Sequence, residues 1–209
     1  MAISIPGRTV VFDYGEVISF SPSEHDRAAI LSTAGIGSAD GAAFWAAYWR
    51  HRDALDRGTI GPTAYWATVA ADLGTTWDPA TVQRLWVADF RSWTSVDPAV
   101  FDLVAQLRDG GTRTALLSNA GADYGSAFRH SPLGELIGPV FVSGELDLVK
   151  PDPAIYVATA AALEVEIASI AFIDNKRENV DGAIAAGVGD AHHYTGVDGL
   201  RGFLTALAG

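Results

Sequence analysis

The segment TVVFDYGEV, residues 9–17, decides the fold class of this chain. It begins with a short apolar run rich in β-branched residues, which is typical of a buried strand in a parallel sheet, and the run ends at Asp13. Three later segments have the same pattern of apolar and β-branched residues: RTALLS (113–118), GPVFVS (138–143) and SIAFID (169–174). We therefore predict four buried strands.

Helical patterns lie between these strands, at residues 98–108, 153–163 and 178–186. Strands that alternate with helices predict βαβ units and a parallel sheet. Because the crossovers in such units are right-handed, the helices should cover both faces of the sheet. The predicted fold class is α/β, with a Rossmann-like parallel sheet.

The stretch from residue 20 to residue 93 differs from the rest. It holds all six tryptophans, no convincing strand, and apolar residues at helical spacing, such as Phe44, Tyr48 and Leu55. Turn signals divide it into about four helices. We therefore predict a helical domain, residues 20–93, inserted into a core domain made of residues 1–19 and 94–209.

Composition and charge exclude several classes of protein. The chain has 209 residues and 49% hydrophobic content, enough for a sizeable core with a smaller appended domain. Its net charge of -11 disfavours nucleic acid and anionic membranes as partners. Without cysteine, a metal site must use oxygen or histidine ligands. We see neither a secretory signal nor an apolar run of membrane-spanning length, so the expected location is the cytoplasm.

Polar residues follow the predicted strands. The carboxyl ends of parallel strands meet at one edge of a sheet, so Asp13, Ser118 and Asp174 should share a crevice. Lys150 lies on a loop after the third strand. Taken singly, an acid here suits a turn or a helix cap, the pair Ser118-Asn119 suits a helix N-cap, and a loop lysine is usually solvated. The four residues together, in this order along the chain, favour a catalytic site.

The order VVFDYGEVI, LLSNA, VKPDPAIY and FIDNKRENVDGAIAAG resembles the four motifs of the haloacid dehalogenase (HAD) superfamily. The resemblance spans residues 10–187, and the helical stretch lies where that family inserts its first-position (C1-type) cap. It is most similar to a branch with a D-x-G-x-V first motif, many of whose members are small phosphatases. The resemblance implies the HAD fold and a hydrolase that acts on a small phosphorylated metabolite.

The resemblance also implies a role for each motif residue. Asp13 would be the nucleophile and form an aspartyl-phosphate, while Lys150 and a Mg²⁺ ion would offset the negative charge. Ser118, Asn119 and the backbone N–H groups that follow would hold a phosphoryl oxygen. The implied ligands of a weakly bound Mg²⁺ are Asp13, the carbonyl of Gly15, Asp174 and Asn175.

Two positions depart from the family's pattern. Gly15 stands where the family usually has a second acid that transfers protons, and Asn175 stands where an acid commonly binds the metal. General acid–base catalysis typically contributes about 10²–10⁴-fold, so we predict slow turnover unless the leaving group needs no proton. Glu16 is adjacent to Gly15 and is a candidate substitute for the missing acid, but a side chain one residue along is expected to point elsewhere.

In the haloacid dehalogenase superfamily, which this chain resembles, the cap selects the substrate. The segment FWAAYWRHRDALDRG, residues 44–58, combines aromatic and basic residues. We predict that His51 or Arg52 contacts the part of the substrate beyond the phosphate. The alternative is that Arg52 only pairs with Asp53 or Asp56.

Two other functions stay open at this point. One is a metal-independent 2-haloacid dehalogenase, in which Asp13 attacks carbon and no acid is needed at Gly15. The other is a degenerate domain that binds a ligand or a partner protein. The oligomeric state is also open, and a homodimer is compatible with the sequence.

Overall fold

The computed structural model describes residues 2–209 and contains one five-stranded sheet. Its strands are β1 (Thr9–Phe12), β2 (Arg113–Ser118), β3 (Val140–Val142), β4 (Ile170–Asp174) and β5 (Asp190–His193). All pairings are parallel, in the order β3-β2-β1-β4-β5. The predicted fold class is confirmed.

The strand register explains why the strand-end residues meet. Phe12, the last residue of β1, pairs with Leu116 of β2 on one side and with Ile173 of β4 on the other. The N–H of Asp13 continues this ladder by donating to the carbonyl of Ile173 at 2.8 Å. Asp13 and Asp174 therefore leave the sheet at the same level, next to each other.

Five helices follow β1 and precede α6 (Pro98–Asp109) along the chain, and we call them the helical insertion, residues 24–92. They are α1 (Glu24–Ala34), α2 (Gly41–Arg50), α3 (Arg52–Asp56), α4 (Pro62–Asp72) and α5 (Pro79–Ser92), with a short 3₁₀ turn at Ser38–Asp40. The insertion has its own hydrophobic core, in which Phe44, Tyr65 and Trp66 are fully buried.

Seven more helices complete the chain: α6 (Pro98–Asp109), α7 (Ala122–Arg129), α8 (Pro132–Ile137), α9 (Ser143–Leu146), α10 (Pro153–Ala162), α11 (Arg177–Ala185) and α12 (Val197–Ala208). They cover both faces of the sheet. Alternate residues of each strand face opposite sides, so each strand packs against helices on both faces. Val10 and Phe12 pack with residues of α6 and α12, whereas Val11 packs with residues of α10. None of the helices within residues 2–209 is long and apolar enough to cross a membrane.

The helical insertion meets the rest of the protein through close backbone contacts beside α9. Gly58 has a φ of 82°, and a Cβ there would lie 2.7 Å from the backbone oxygen of Gly144. The hydroxyl of Ser143 donates to the carbonyl of Asp56 and accepts from the N–H of Ala120. These contacts place α3 directly above the carboxyl edge of the sheet.

Candidate active site

Lys150 joins the two strand-end acids. Its Nζ lies 2.7 Å from Oδ1 of Asp13, 2.7 Å from Oδ2 of Asp174 and 2.9 Å from the carbonyl oxygen of Leu117. The lysine is only 3% exposed, so its charge is balanced by two carboxylates rather than by bulk solvent. Three residues that the sequence predicts in one site are thus in direct contact.

Burial and charge set the protonation of this group. Burial raises the pKa of Asp13 to about 6, although the neighbouring ammonium of Lys150 lowers it. For Lys150, burial alone would lower the pKa, but Asp13 and Asp174 raise it above its usual value. At neutral pH the lysine is therefore charged, and the carboxyl group of Asp13 is mostly ionised.

Asp174 is held on every side. Its oxygens accept from Nδ2 of Asn179 at 3.1 and 3.0 Å and from the N–H of Lys176 at 2.8 Å, besides Nζ of Lys150. Its side chain is completely buried. In this geometry Asp174 positions Lys150. To act as the direct metal ligand that the sequence predicts, it would have to give up one of these bonds.

The second motif contributes Ser118 and Asn119. Ser118 ends β2, is buried, and faces the same crevice as Asp13. The amide of Asn119 is committed to the backbone of Lys150, because it donates to that carbonyl and accepts from that N–H, both at 2.9 Å. The side chain of Asn119 therefore fixes the loop that carries Lys150.

The residues after Asp13 differ from expectation. Glu16 lines the crevice, and the expectation that its side chain points elsewhere is wrong, because its φ of 60° turns the chain sharply at this residue. Nδ2 of Asn175 donates to Oε2 of Glu16 at 2.7 Å, and Ser21 donates to the other oxygen. Gly15 has no positive φ, and a Cβ there would touch only the Trp93 ring, at 3.6 Å.

A crevice of about 260 Å³ lies between this edge of the sheet and the helical insertion. The insertion contributes four side chains: Trp49, Arg52, Asp53 and Asp56. The remaining walls are Asp13, Tyr14, Gly15, Glu16, Trp93, Ser118, Asn119, Ala120, Tyr124, Phe128, Lys150, Asn175, Lys176 and Asn179. We call this space the active-site crevice.

The two residues predicted to bind substrate behave differently. Arg52 lines the active-site crevice but is 7% exposed and is paired with Asp56 at 2.9 Å and Asp89 at 3.0 Å. The sequence anticipated Asp56 as a partner but missed Asp89. His51 does not line the crevice; its Nε2 lies 2.8 Å from Oδ2 of Asp72, the last residue of α4.

A histidine that the sequence did not single out as a site residue lies close to the fourth motif. Nε2 of His193 is 2.9 Å from the carbonyl oxygen of Asn175, so β5 supports the loop that carries this amide. His192 instead stacks on Phe203 with ring centroids 4.8 Å apart. The two histidines of β5 therefore have separate structural roles.

The oxygen donors of the crevice fit a hard cation that keeps several waters. Within residues 2–209, no three acidic or histidine side chains are arranged to hold a metal ion by themselves. Asp13, Gly15 and Asn175, which the sequence predicts as ligands, all line the crevice and have a carboxylate, a carbonyl and an amide oxygen to offer. Mg²⁺ commonly binds to one or two carboxylates together with waters and substrate phosphates, which suits this set.

A parallel sheet with a buried Asp–Lys–Asp contact at its carboxyl edge defines an α/β enzyme scaffold, and sequence comparison identifies it. The family model of the haloacid dehalogenase-like hydrolases matches residues 8–187. The chain belongs to this family of hydrolases. A search of curated proteins gives no significant match.

Solved structures show the same fold. The HAD family enzyme BT-2542 from Bacteroides thetaiotaomicron, in complex with magnesium and inorganic phosphate, is 16% identical, with a TM-score of 0.66 over 88% of this chain and 92% of that one. A predicted HAD-like hydrolase from Porphyromonas gingivalis is 19% identical, with a TM-score of 0.68 over 94% and 97%. The L-2-haloacid dehalogenase RSc1362 is 19% identical, with a TM-score of 0.66 over the full length of both chains.

Proposed function

We propose that this protein is a Mg²⁺-dependent phosphatase of a small phosphorylated metabolite, with Asp13 as the nucleophile. One observation supports this most: each buried basic side chain of the active-site crevice already faces two carboxylates. Lys150 faces Asp13 and Asp174, and Arg52 faces Asp56 and Asp89.

This charge balance disfavours an anionic substrate unless a cation binds with it. An anion that enters the crevice meets more negative than positive charge, and the exposed Lys176 at the rim offers only a screened attraction. A divalent cation bound beside Asp13 would offset this repulsion. When bound, Mg²⁺ neutralises charge on the phosphoryl oxygens and orients them.

In the first step, the carboxylate oxygen of Asp13 that does not hold Lys150 attacks phosphorus. The phosphorus–oxygen bond of the ester breaks, and the leaving group departs with the electron pair. Lys150 offsets the charge of the nucleophile and keeps its carboxylate in one orientation. Ser118 and the N–H groups that follow it donate to a phosphoryl oxygen.

In the second step, water attacks phosphorus, the bond to Asp13 breaks, and phosphate leaves. Because Gly15 carries no acid, the proton for a leaving alkoxide must come from water. We therefore propose that the enzyme prefers esters whose leaving groups are stable as anions.

We further propose that residues 20–93 form a cap domain of the C1 type that selects the substrate. Trp49 is 54% exposed and lines the active-site crevice, so its ring is free to contact a leaving group. Arg52 is held away from such contact by its carboxylate partners, and we assign it to the shape of the cap rather than to substrate binding.

A panel of phosphate esters, assayed for phosphate release with and without Mg²⁺, tests the proposal. We expect release that depends on Mg²⁺ and is fastest for aryl, acyl or anomeric phosphates. Absence of release from every ester at any Mg²⁺ concentration would refute the phosphatase assignment.

Gly15 favours one competing function, a metal-independent 2-haloacid dehalogenase, since attack of Asp13 on carbon expels halide and needs no proton at position 15. Halide release from chloropropionate in the presence of a chelator would identify this activity. We rank it second because the carboxylate of such a substrate would find both buried cations of the crevice already paired.

A further inference from the structure

Glu16 is in an unusual position for a glutamate. Its φ of 60° lies in the left-handed region, which residues other than glycine rarely adopt. The residue nevertheless lines the active-site crevice and contacts Asn175, which is 159 positions away in sequence. Residues held in such conformations often lie at functional sites.

The contact determines how Asn175 is oriented. A carboxylate can only accept hydrogen bonds, so the group facing Oε2 of Glu16 at 2.7 Å must be the NH₂ of the amide. The amide oxygen of Asn175 then points away from Glu16. Because Asn175 also lines the active-site crevice, this oxygen is available to a cation there.

The contact also brings a negative charge to this side of the crevice. Both oxygens of Glu16 are occupied, one by Asn175 and the other by the hydroxyl of Ser21. Glu16 therefore acts through Asn175 and through its own field rather than by direct ligation. Carboxylates that hydrogen-bond to metal ligands orient them and make them more basic.

We infer that Glu16 is a positioning residue of the metal site. It turns the amide oxygen of Asn175 toward the cation, and through its hydrogen bond to Asn175 it supplies the negative charge that Asn175 lacks. This inference rests on the metal-dependent function proposed above. It gives the neutral amide at position 175 a compensating partner in a different motif of the chain.

Two substitutions separate orientation from charge. Glu16→Gln retains an oxygen that can accept from the amide of Asn175 but removes the charge. Glu16→Gly removes both, and glycine adopts the positive φ without strain, so the loop should keep its shape. Glu164→Gly is the matched control, since Glu164 is an exposed glutamate with a φ of 55° at the end of α10.

Binding of Mn²⁺ alone is the readout, measured without substrate by calorimetry or by the electron paramagnetic resonance signal of free Mn²⁺. We expect Glu16→Gly to weaken binding by about 10–100-fold, Glu16→Gln to weaken it less, and Glu164→Gly to bind as the unmodified protein does. Adding Asn175→Asp to Glu16→Gly should restore affinity, because the charge then sits on the ligand itself.

Equal Mn²⁺ affinity in the unmodified protein, Glu16→Gln and Glu16→Gly would overturn the inference and leave the proposed phosphatase untouched. If the unmodified protein binds no Mn²⁺, both the inference and the metal dependence of the proposed function fail. Thermal unfolding without metal shows whether each variant is folded. A loss of affinity in a variant that unfolds like the control supports the positioning role.

Discussion

Nζ of Lys150 lies 2.7 Å from Oδ1 of Asp13, with the lysine side chain 1% and the aspartate side chain 10% exposed. A lysine this deeply buried needs partners that offset the loss of hydration, and Asp13 and Asp174 provide them. The same contact places the proposed nucleophile and its counter-charge at the end of β1. We therefore expect the stability of the protein and the proposed chemistry to depend on the same three side chains.

The role of Asp13 as nucleophile can be tested by Asp13→Asn. The amide has nearly the same shape but is a poor nucleophile, so phosphate release should fall to background while the circular dichroism spectrum stays unchanged. Asp102→Asn, an exposed site on α6, is the control and should retain full activity. Turnover that persists in Asp13→Asn would exclude the aspartyl-phosphate mechanism.

Replacement of Lys150 should affect both activity and stability. In Lys150→Met, two buried carboxylates lose their cation, so the free energy of unfolding at neutral pH should fall by about 3–5 kcal/mol, as measured by urea titration. Phosphate release should also be lost. The double variant Lys150→Met/Asp174→Asn removes one of the two charges and should recover part of the stability. Unchanged stability in the single variant would contradict this electrostatic account.

The raised pKa of Asp56 predicts that the stability of the protein depends on pH. Burial raises its pKa from 3.8 to about 6 despite the contact with Arg52, so the folded protein favours the protonated form. Ionisation of Asp56 therefore costs stability, and this cost grows as the pH rises from the unfolded value toward the folded one and is constant above it.

The stability of Asp56→Asn relative to the unmodified protein should accordingly increase between about pH 4 and about pH 7, as measured by urea unfolding at both ends. The neighbouring Asp53, which is exposed, provides the control variant Asp53→Asn. A relative stability of Asp56→Asn that falls over the same range would mean that pairing with Arg52 outweighs burial.

Gly15→Asp should restore proton transfer to the leaving group. The backbone at this position accepts a side chain, because φ is not positive and the nearest atom to a Cβ is a Trp93 ring carbon at 3.6 Å. We expect kcat/KM for alkyl phosphates to rise by up to about 10²–10⁴-fold, and that for nitrophenyl phosphate to rise much less.

Gly15→Asn is the matched control, since it has the same shape and no proton to give. Equal gains for Gly15→Asp and Gly15→Asn would show that the effect is not acid–base catalysis. Equal gains for alkyl and aryl esters would lead to the same conclusion.

The sequence by itself determined the architecture and the strand-end site. Short β-branched runs alternating with helical patterns predict a parallel sheet, and residues at the carboxyl ends of its strands must meet at one edge. The observed bounds of β2 are those predicted, and α6 and α10 differ by one residue at their ends. Local periodicity carries this information, so no knowledge of long-range contacts was needed to place Asp13 near Lys150.

Only the tertiary structure decided which side chains pair with which. The sequence predicts Asp53 or Asp56 as the partner of Arg52, but the folded insertion also pairs this arginine with Asp89, 37 positions away. Glu16 faces Asn175 because a positive φ turns its side chain into the crevice, a conformation that no spacing rule predicts for a glutamate. Secondary structure follows from patterns a few residues long, whereas these contacts depend on helix packing and on single backbone angles, which such patterns do not encode.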